Sequence, residues 1–293
     1  MQLADVLKTT GLELQTVAVV LHSSRLQPLR RMFPALAYER PDLFEAYQSV
    51  HAARAASTLY KRRFFTSFIP LSEGTMLFVG LFEIVSVSEK LTTEIYCDRR
   101  FRELELDYGA TDTAPSINTA RFETQLHFET ALTDHLTDLR FRLKIGVPVG
   151  RTYVRLAENL NAPILELAPE AITAPPAPDW ETFVVPPGTM KTLPKSWREK
   201  LQHWRGVYLI IDETDGARYV GSAYGHENLY GRWQAHTSGS LGVTANLKQR
   251  DPNRFRFSIL QLLSPAATAN EVVSVENSWK ERLHTRVFGL NEN

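Results

Sequence analysis

Hydrophobic and polar positions change period several times along the chain, and each change marks an element. Residues 18–21 (AVVL) and 76–87 (MLFVGLFEIVSV) are runs of β-branched, aromatic and aliphatic residues, the pattern of strands. Between them, Leu43, Ala46, Tyr47, Val50, Ala53 and Arg54 recur at helical spacing, which predicts one helix over residues 41–60. Residues 125–131 and 140–145 alternate and predict further strands, and residues 158–167 end in another apolar run. The expectation is a mixed α+β domain with a β-rich middle.

Residues 168–195 interrupt this pattern with Pro169, Pro175, Pro176, Pro178, Pro186, Pro187 and Pro194. That density prevents a continuous helix or a central strand. Trp180, Phe183, Val184 and Val185 sit among the prolines. A free linker lacks such groups, so the stretch is expected to be a connector packed on a domain surface. The chain thus divides into an N-terminal recognition or assembly domain (1–167), a connector (168–195) and a C-terminal domain (196–293).

In the last part the periodicity sharpens. Residues 206–211 read as a strand, 212–216 as a turn and 218–221 as the returning strand. Asn228 is placed to cap a helix over 229–237, on which Arg232 and His236, four residues apart, share a face. Residues 255–263 predict a third strand. A final helix from Asn270 to about residue 285 carries Val272, Val275, Trp279 and Leu283 as one apolar stripe, with Glu276 at its edge. The order β-β-α-β-α predicts a small three-stranded antiparallel sheet flanked by helices.

Charge changes the picture little. Lys and Arg number 33, as do Asp and Glu, so the formal net charge is zero. Contact with a nucleic acid would have to come from a local patch. Lys248, Arg250, Arg254 and Arg256, within LKQRDPNRFR, form one candidate. Arg30, Arg31, Lys61, Arg62, Arg63, Arg99, Arg100 and Arg102 form others. The single cysteine, Cys97, excludes an intrachain disulfide and a multi-cysteine zinc site, and suits a reducing cytosol. The first residues show no basic region followed by an apolar one, and no apolar run approaches the roughly eighteen residues of a membrane span. A soluble, cytoplasmic protein without a membrane partner is expected.

Gly206-Val207-Tyr208 and Tyr219-Val220-Gly221 resemble the two halves of the signature of the GIY-YIG nucleases, with the tyrosines eleven positions apart. Arg232 and His236 on the next helix, Glu276 on the last helix and Asn291 after it complete that family's order over about the last ninety residues. The resemblance implies phosphodiester hydrolysis with Mg2+ (Mn2+ substituting), and DNA as the partner, double-stranded DNA above all.

It also implies roles. Arg232 would stabilise charge on the phosphate, for which a bidentate guanidinium is suited. Glu276 would be the metal ligand; its plainer reading is a boundary carboxylate paired with Lys280 at i+4. One carboxylate suits Mg2+, which keeps several waters. Tyr208 assisted by His236, or His236 directly, would be the base. A phenol with a pKa near 10 would need nearby positive charge to serve. Tyr219 would contact the phosphate or hold the nucleophile, its plainer reading being a half-buried sheet tyrosine. Gly206 and Gly221 would permit close backbone approach. Asn291 fills the asparagine position, with Asn293 the alternative.

Upstream, residues 76–88 resemble strands of PUA-like base-reading barrels. That likeness implies a flipped or modified base held among Phe64, Phe65, Phe68, Phe78 and Phe82; strand aromatics otherwise form core. The functional expectation is a DNA endonuclease restricting foreign or modified DNA. With one site per chain, cutting both strands needs a homodimer or successive nicks. The alternatives are a repair or recombination nuclease acting on branched or single-stranded DNA, and a binding protein without chemistry.

Overall fold

The computed structural model describes residues 1–22, 27–72, 74–109, 123–150, 152–238 and 245–292. The chain forms two units, Met1–Pro175 and Pro176–Asn293, so the division falls inside the proline-rich stretch.

Among the described residues the N-terminal unit has seven strands: β1 (Val17–Leu21), β2 (Phe64–Ser72), β3 (Thr75–Leu91), β4 (Thr124–Leu132), β5 (Leu143–Gly146), β6 (Val154–Leu156) and β7 (Ile164–Leu167). They form one sheet in the order β6-β1-β2-β3-β5-β7, with β4 on the far half of the long β3. Its helices are α1 (Leu3–Lys8), α2 (Gln27–Glu39), α3 (Pro41–Gln48), α4 (Ala53–Leu59), α5 (Thr92–Cys97) and α6 (Arg99–Tyr108). β1 and β2 pair in parallel, which requires a crossover, and α2 to α4 provide it. β1 is buried at every position: Ala18 and Val20 join one core, Val17, Val19 and Leu21 the other. A strand covered on both faces therefore reads as an unbroken apolar run.

Two expectations are corrected here. The helix over 41–60 is broken into α3 and α4, because the intervening backbone joins the sheet: Val50 bridges His127, and Phe128 donates to the Ser49 carbonyl. Local spacing cannot report that long-range pairing. The five phenylalanines offered for base reading are all buried in the two cores, Phe65 against Phe82 at 5.3 Å in one and Phe68 against Phe78 at 5.4 Å, with Phe64, in the other. They are core. No helix among the described residues is long and apolar enough to cross a membrane.

The proline-rich stretch is divided between the units. Ala168 and Ile172 donate to the carbonyls of Arg142 and Phe141 in the N-terminal unit. Further on, Val184–Val185 forms β8 in the C-terminal unit. That unit continues with α7 (Lys195–His203), β9 (Arg205–Asp212), β10 (Arg218–Ala223), α8 (Asn228–Ser238), α9 (Ala245–Lys248), β11 (Phe255–Leu263), α10 (Ala269–Arg282) and α11 (Thr285–Phe288). Its antiparallel sheet has the order β10-β9-β11-β8. The short β8 thus adds a fourth strand to the three expected. Phe183, fully buried, packs its ring against Trp197, Trp204 and Trp233.

Candidate active site

Strand alternation places the first tyrosine. Tyr208 on β9 pairs with Gly221 on the edge strand β10, and Tyr219 pairs with Ile210. A side chain on Gly221 would collide with the Tyr208 phenol and the Tyr219 ring, and one on Gly206 would collide with the Gln261 carbonyl across the sheet. Both glycines are therefore required by close approach, as the resemblance implied.

α8 covers this face. Trp233 and His236 are buried from it, with His236 edge-on to both Tyr208 and Tyr219. Asn228 starts α8 in the left-handed region (φ 43°), and its Nδ2 donates to the Gln202 carbonyl rather than its Oδ1 capping α8. It ties α8 to α7. The Tyr208 hydroxyl lies 2.7 Å from His236 Nε2. Burial raises the Tyr208 pKa above its ordinary value and outweighs the charge of the neighbouring Arg232, which favours phenolate. Burial, then Arg232, lowers His236 to about 3. The phenol keeps its proton and the imidazole is neutral, so Tyr208 donates and Nε2 accepts.

Arg232 and Glu276 are the less buried members. Burial by itself lowers the Arg232 pKa, but Tyr208, Tyr219 and the Glu276 charge more than restore it, and the guanidinium stays charged. Burial and then Glu276 raise the Tyr219 phenol. Glu276 comes from α10, whose first turn is closed by a Thr268–Glu271 capping box. The Ser222 hydroxyl donates to Glu276 Oε2, and Lys280 Nζ stands 2.8 Å from Oε1.

Asn291 lies elsewhere. Its Oδ1 accepts from the Val220 N–H at 2.9 Å, and its Nδ2 donates to the Val220 carbonyl at 2.8 Å. Leu290 N–H bonds the Arg218 carbonyl at 2.8 Å. The segment thereby covers the free edge of β10. Asn291 was expected among the catalytic groups; its carboxamide instead holds the strand that carries Tyr219. Asn293 lies outside the described residues.

Residues 205–291 match the model of the GIY-YIG catalytic domain. They form a GIY-YIG catalytic domain. The chain thus carries the catalytic domain of a GIY-YIG-type endonuclease, and its substrate is a nucleic acid. Among solved structures, the catalytic domain of homing endonuclease I-TevI is 26% identical over 30% of this chain and 96% of that one, with a TM-score of 0.25. A mutant form of the catalytic domain of intron endonuclease I-TevI is 23% identical over 31% and 94%, with a TM-score of 0.26. No curated protein matches the chain.

Around Glu276, the GIY-YIG domain offers one carboxylate and the Ser222 hydroxyl. No group of three or more His, Cys, Asp or Glu is placed to hold a metal among the described residues. That donor set fits Mg2+, which binds through few protein oxygens, its own waters and substrate phosphate. It does not fit structural zinc, which needs four ligands.

Ser222 was missed by sequence reasoning, and the expected i+4 pair of Lys280 with Glu276 is present. Ser222 directly follows the YVG motif, but alternation puts it on the face opposite Tyr219, so the motif did not point to it. Lys280 was seen only as a partner for Glu276; its burial (6% exposed) carried no signal in the sequence. The basic segment separates into two pairs. Arg250 is tied to Asp212 at 2.7 Å and Asp215 at 2.9 Å, and Arg256 Nε donates to Glu213 at 2.6 Å. These bonds brace the turn between β9 and β10. Lys248 and Arg254 are exposed. In the N-terminal unit Arg62, Arg63 and Arg100 are ion-paired to Glu158, Glu83 and Asp98. The side chains of Arg30 and Arg31 lie outside the described residues.

Proposed function

We propose that this protein is a Mg2+-dependent endonuclease that cuts DNA, double-stranded DNA above all, and serves the restriction of foreign or modified DNA in the cytoplasm. The observation that carries the chemistry is the buried Tyr208–His236 hydrogen bond lying against Arg232, with Glu276 in electrostatic reach of the same groups. Arg232 holds the scissile phosphate and stabilises its developing charge. Tyr208 takes a proton from the attacking water as it passes its own to neutral His236 Nε2, so no free phenolate forms. Glu276, supported by Ser222, is the residue that would hold Mg2+. That ion supplies Lewis-acid stabilisation of the phosphate oxygens. One site per chain makes a homodimer the simplest way to cut both strands.

The test incubates the full chain with Mg2+ or Mn2+ and plain, methylated, hydroxymethylated, single-stranded and branched DNA, beside Glu276→Ala. Cleavage of duplex DNA by the wild type alone is expected. If nothing is cut, or the variant cuts equally well, the assignment fails. A preference for branched or single-stranded DNA would move the protein from restriction to repair.

A further inference from the structure

The N-terminal unit contains a cleft of about 670 Å3 between α4, the segment ahead of β6, and β6 with the turn that follows it. Arg54, Arg155, Asn159, Asn161 and Tyr153 face it, and among the described residues no carboxylate lines it. In a chain with equal numbers of acids and bases, two guanidiniums without an acid make this cleft locally cationic. Elsewhere in the unit Arg40, Arg62, Arg63 and Arg100 each pair with an acid, while Arg140 and Arg142 bond backbone carbonyls. Arg54 and Arg155 have no ion pair among the described residues.

Arg155 is the more telling of the two. Its Nε is buried with no hydrogen-bond partner, and its Nη2 reaches only the Val149 carbonyl, at 3.4 Å. The guanidinium lies against the bare backbone of Gly150 (φ 136°), where any Cβ would collide with it. A half-buried cation is thus left with its Nε unpaired among the described residues. Such a group costs free energy until an anion pairs with it, and phosphate matches the guanidinium fork. Beside it, the Tyr153 hydroxyl accepts the Ala52 N–H at 3.2 Å and meets His51 Nδ1 at 3.3 Å. These two contacts fix an aromatic wall in the cleft.

We propose that this cleft binds a nucleotide unit: Arg155 and Arg54 take its phosphate, Tyr153 stacks on its base, and Asn159 and Asn161 meet polar base edges. The volume lies within the roughly 300–1,000 Å3 of small-molecule sites, and base–aromatic stacking tolerates any base. The expectation that the nucleotide belongs to DNA rests on the nuclease reading above; a free nucleotide presents the same chemistry.

The test measures fluorescence anisotropy of the full chain, without divalent metal, with three labelled probes: a DNA duplex, its single strand, and a deoxynucleoside monophosphate. Wild type is compared with Arg155→Gln, Arg155→Lys and Arg54→Gln, each checked for folding by circular dichroism. Loss of one charge-assisted contact should weaken at least one probe about tenfold or more and reduce the salt slope of DNA binding by about one. Arg155→Lys should recover part of the loss. The probe affected identifies the source of the nucleotide. If Arg155→Gln does not fold, Arg54→Gln decides. Variants that bind every probe as wild type does, or a wild type that binds none, overturn the proposal. DNA cleavage in Mg2+ is followed in parallel. Cleavage with unaltered binding sinks only this proposal, whereas nucleotide binding lost in Arg155→Gln without any cleavage sinks only the nuclease reading.

Discussion

Tyr208 and His236 share a 2.7 Å hydrogen bond in which burial keeps both partners uncharged. An imidazole lowered to about 3 remains a free acceptor at any working pH. The pH–rate profile of cleavage should therefore show no limb centred on the ordinary histidine value near 6.5. A limb there that vanishes in His236→Gln would show that the ring titrates in the working enzyme.

The same bond makes the two residues one device. Tyr208→Phe removes the group that relays the proton, and His236→Ala removes its destination. Each should lower kcat by about 10²–10⁴-fold, the usual worth of general base catalysis. The double variant should be no slower than the slower single one, since parts of one unit are not additive. Single-turnover cleavage of one DNA substrate measures all three. Multiplying losses would separate the residues mechanistically.

Burial of histidines also sets a direction for stability. His236 and, in the N-terminal unit, His22 are lowered to about 3, and His51 to about 4, each mainly by burial. As pH falls below about 6.5 the unfolded chain takes up protons that the folded chain refuses. Stability is therefore full above that value and falls as pH drops toward the folded pKa values, by up to about 1.4 kcal/mol per pH unit for each histidine. Urea unfolding at about pH 7 and about pH 5 would measure it. Equal midpoints would mean that these rings are protonated in the fold.

The hairpin and its motif were readable because β9 and β10 are neighbours in sequence, and alternation fixes which residues face α8. Val184–Val185 was not readable as a strand, because prolines surround it and its partner β11 lies some seventy residues away. The break between α3 and α4 escaped for the same reason: a bridge to His127 decides it, not local spacing. Glu276 was found through its motif. Its partner Lys280 was legible as the i+4 residue on the same helix, whereas Ser222 became visible only once α10 was laid on the edge strand.

Lys280 should oppose the metal. Its ammonium, 2.8 Å from Glu276 Oε1 and nearly buried, already neutralises the carboxylate that Mg2+ would need. Lys280→Met keeps the aliphatic packing and removes the charge. The Mg2+ concentration for half-maximal cleavage should then fall about tenfold, the worth of one charge-assisted contact. A metal titration of the cleavage rate checks this. A higher Mg2+ requirement would mean that the lysine orients Glu276 rather than competing for it.

Asn291 carries the last prediction. Val220 is fully buried on an edge strand, and the carboxamide of Asn291 satisfies both its N–H and its carbonyl. Asn291→Ala leaves two buried backbone groups without partners, which should cost about 2–4 kcal/mol. Because Tyr219 and Gly221 flank Val220, kcat should fall together with the melting temperature. Asn291→Asp keeps the acceptor for the N–H but turns a carboxylate oxygen toward the carbonyl, so thermal melts should show it recovering only part of that loss. A variant as stable as wild type but inactive would instead return Asn291 to the catalytic groups.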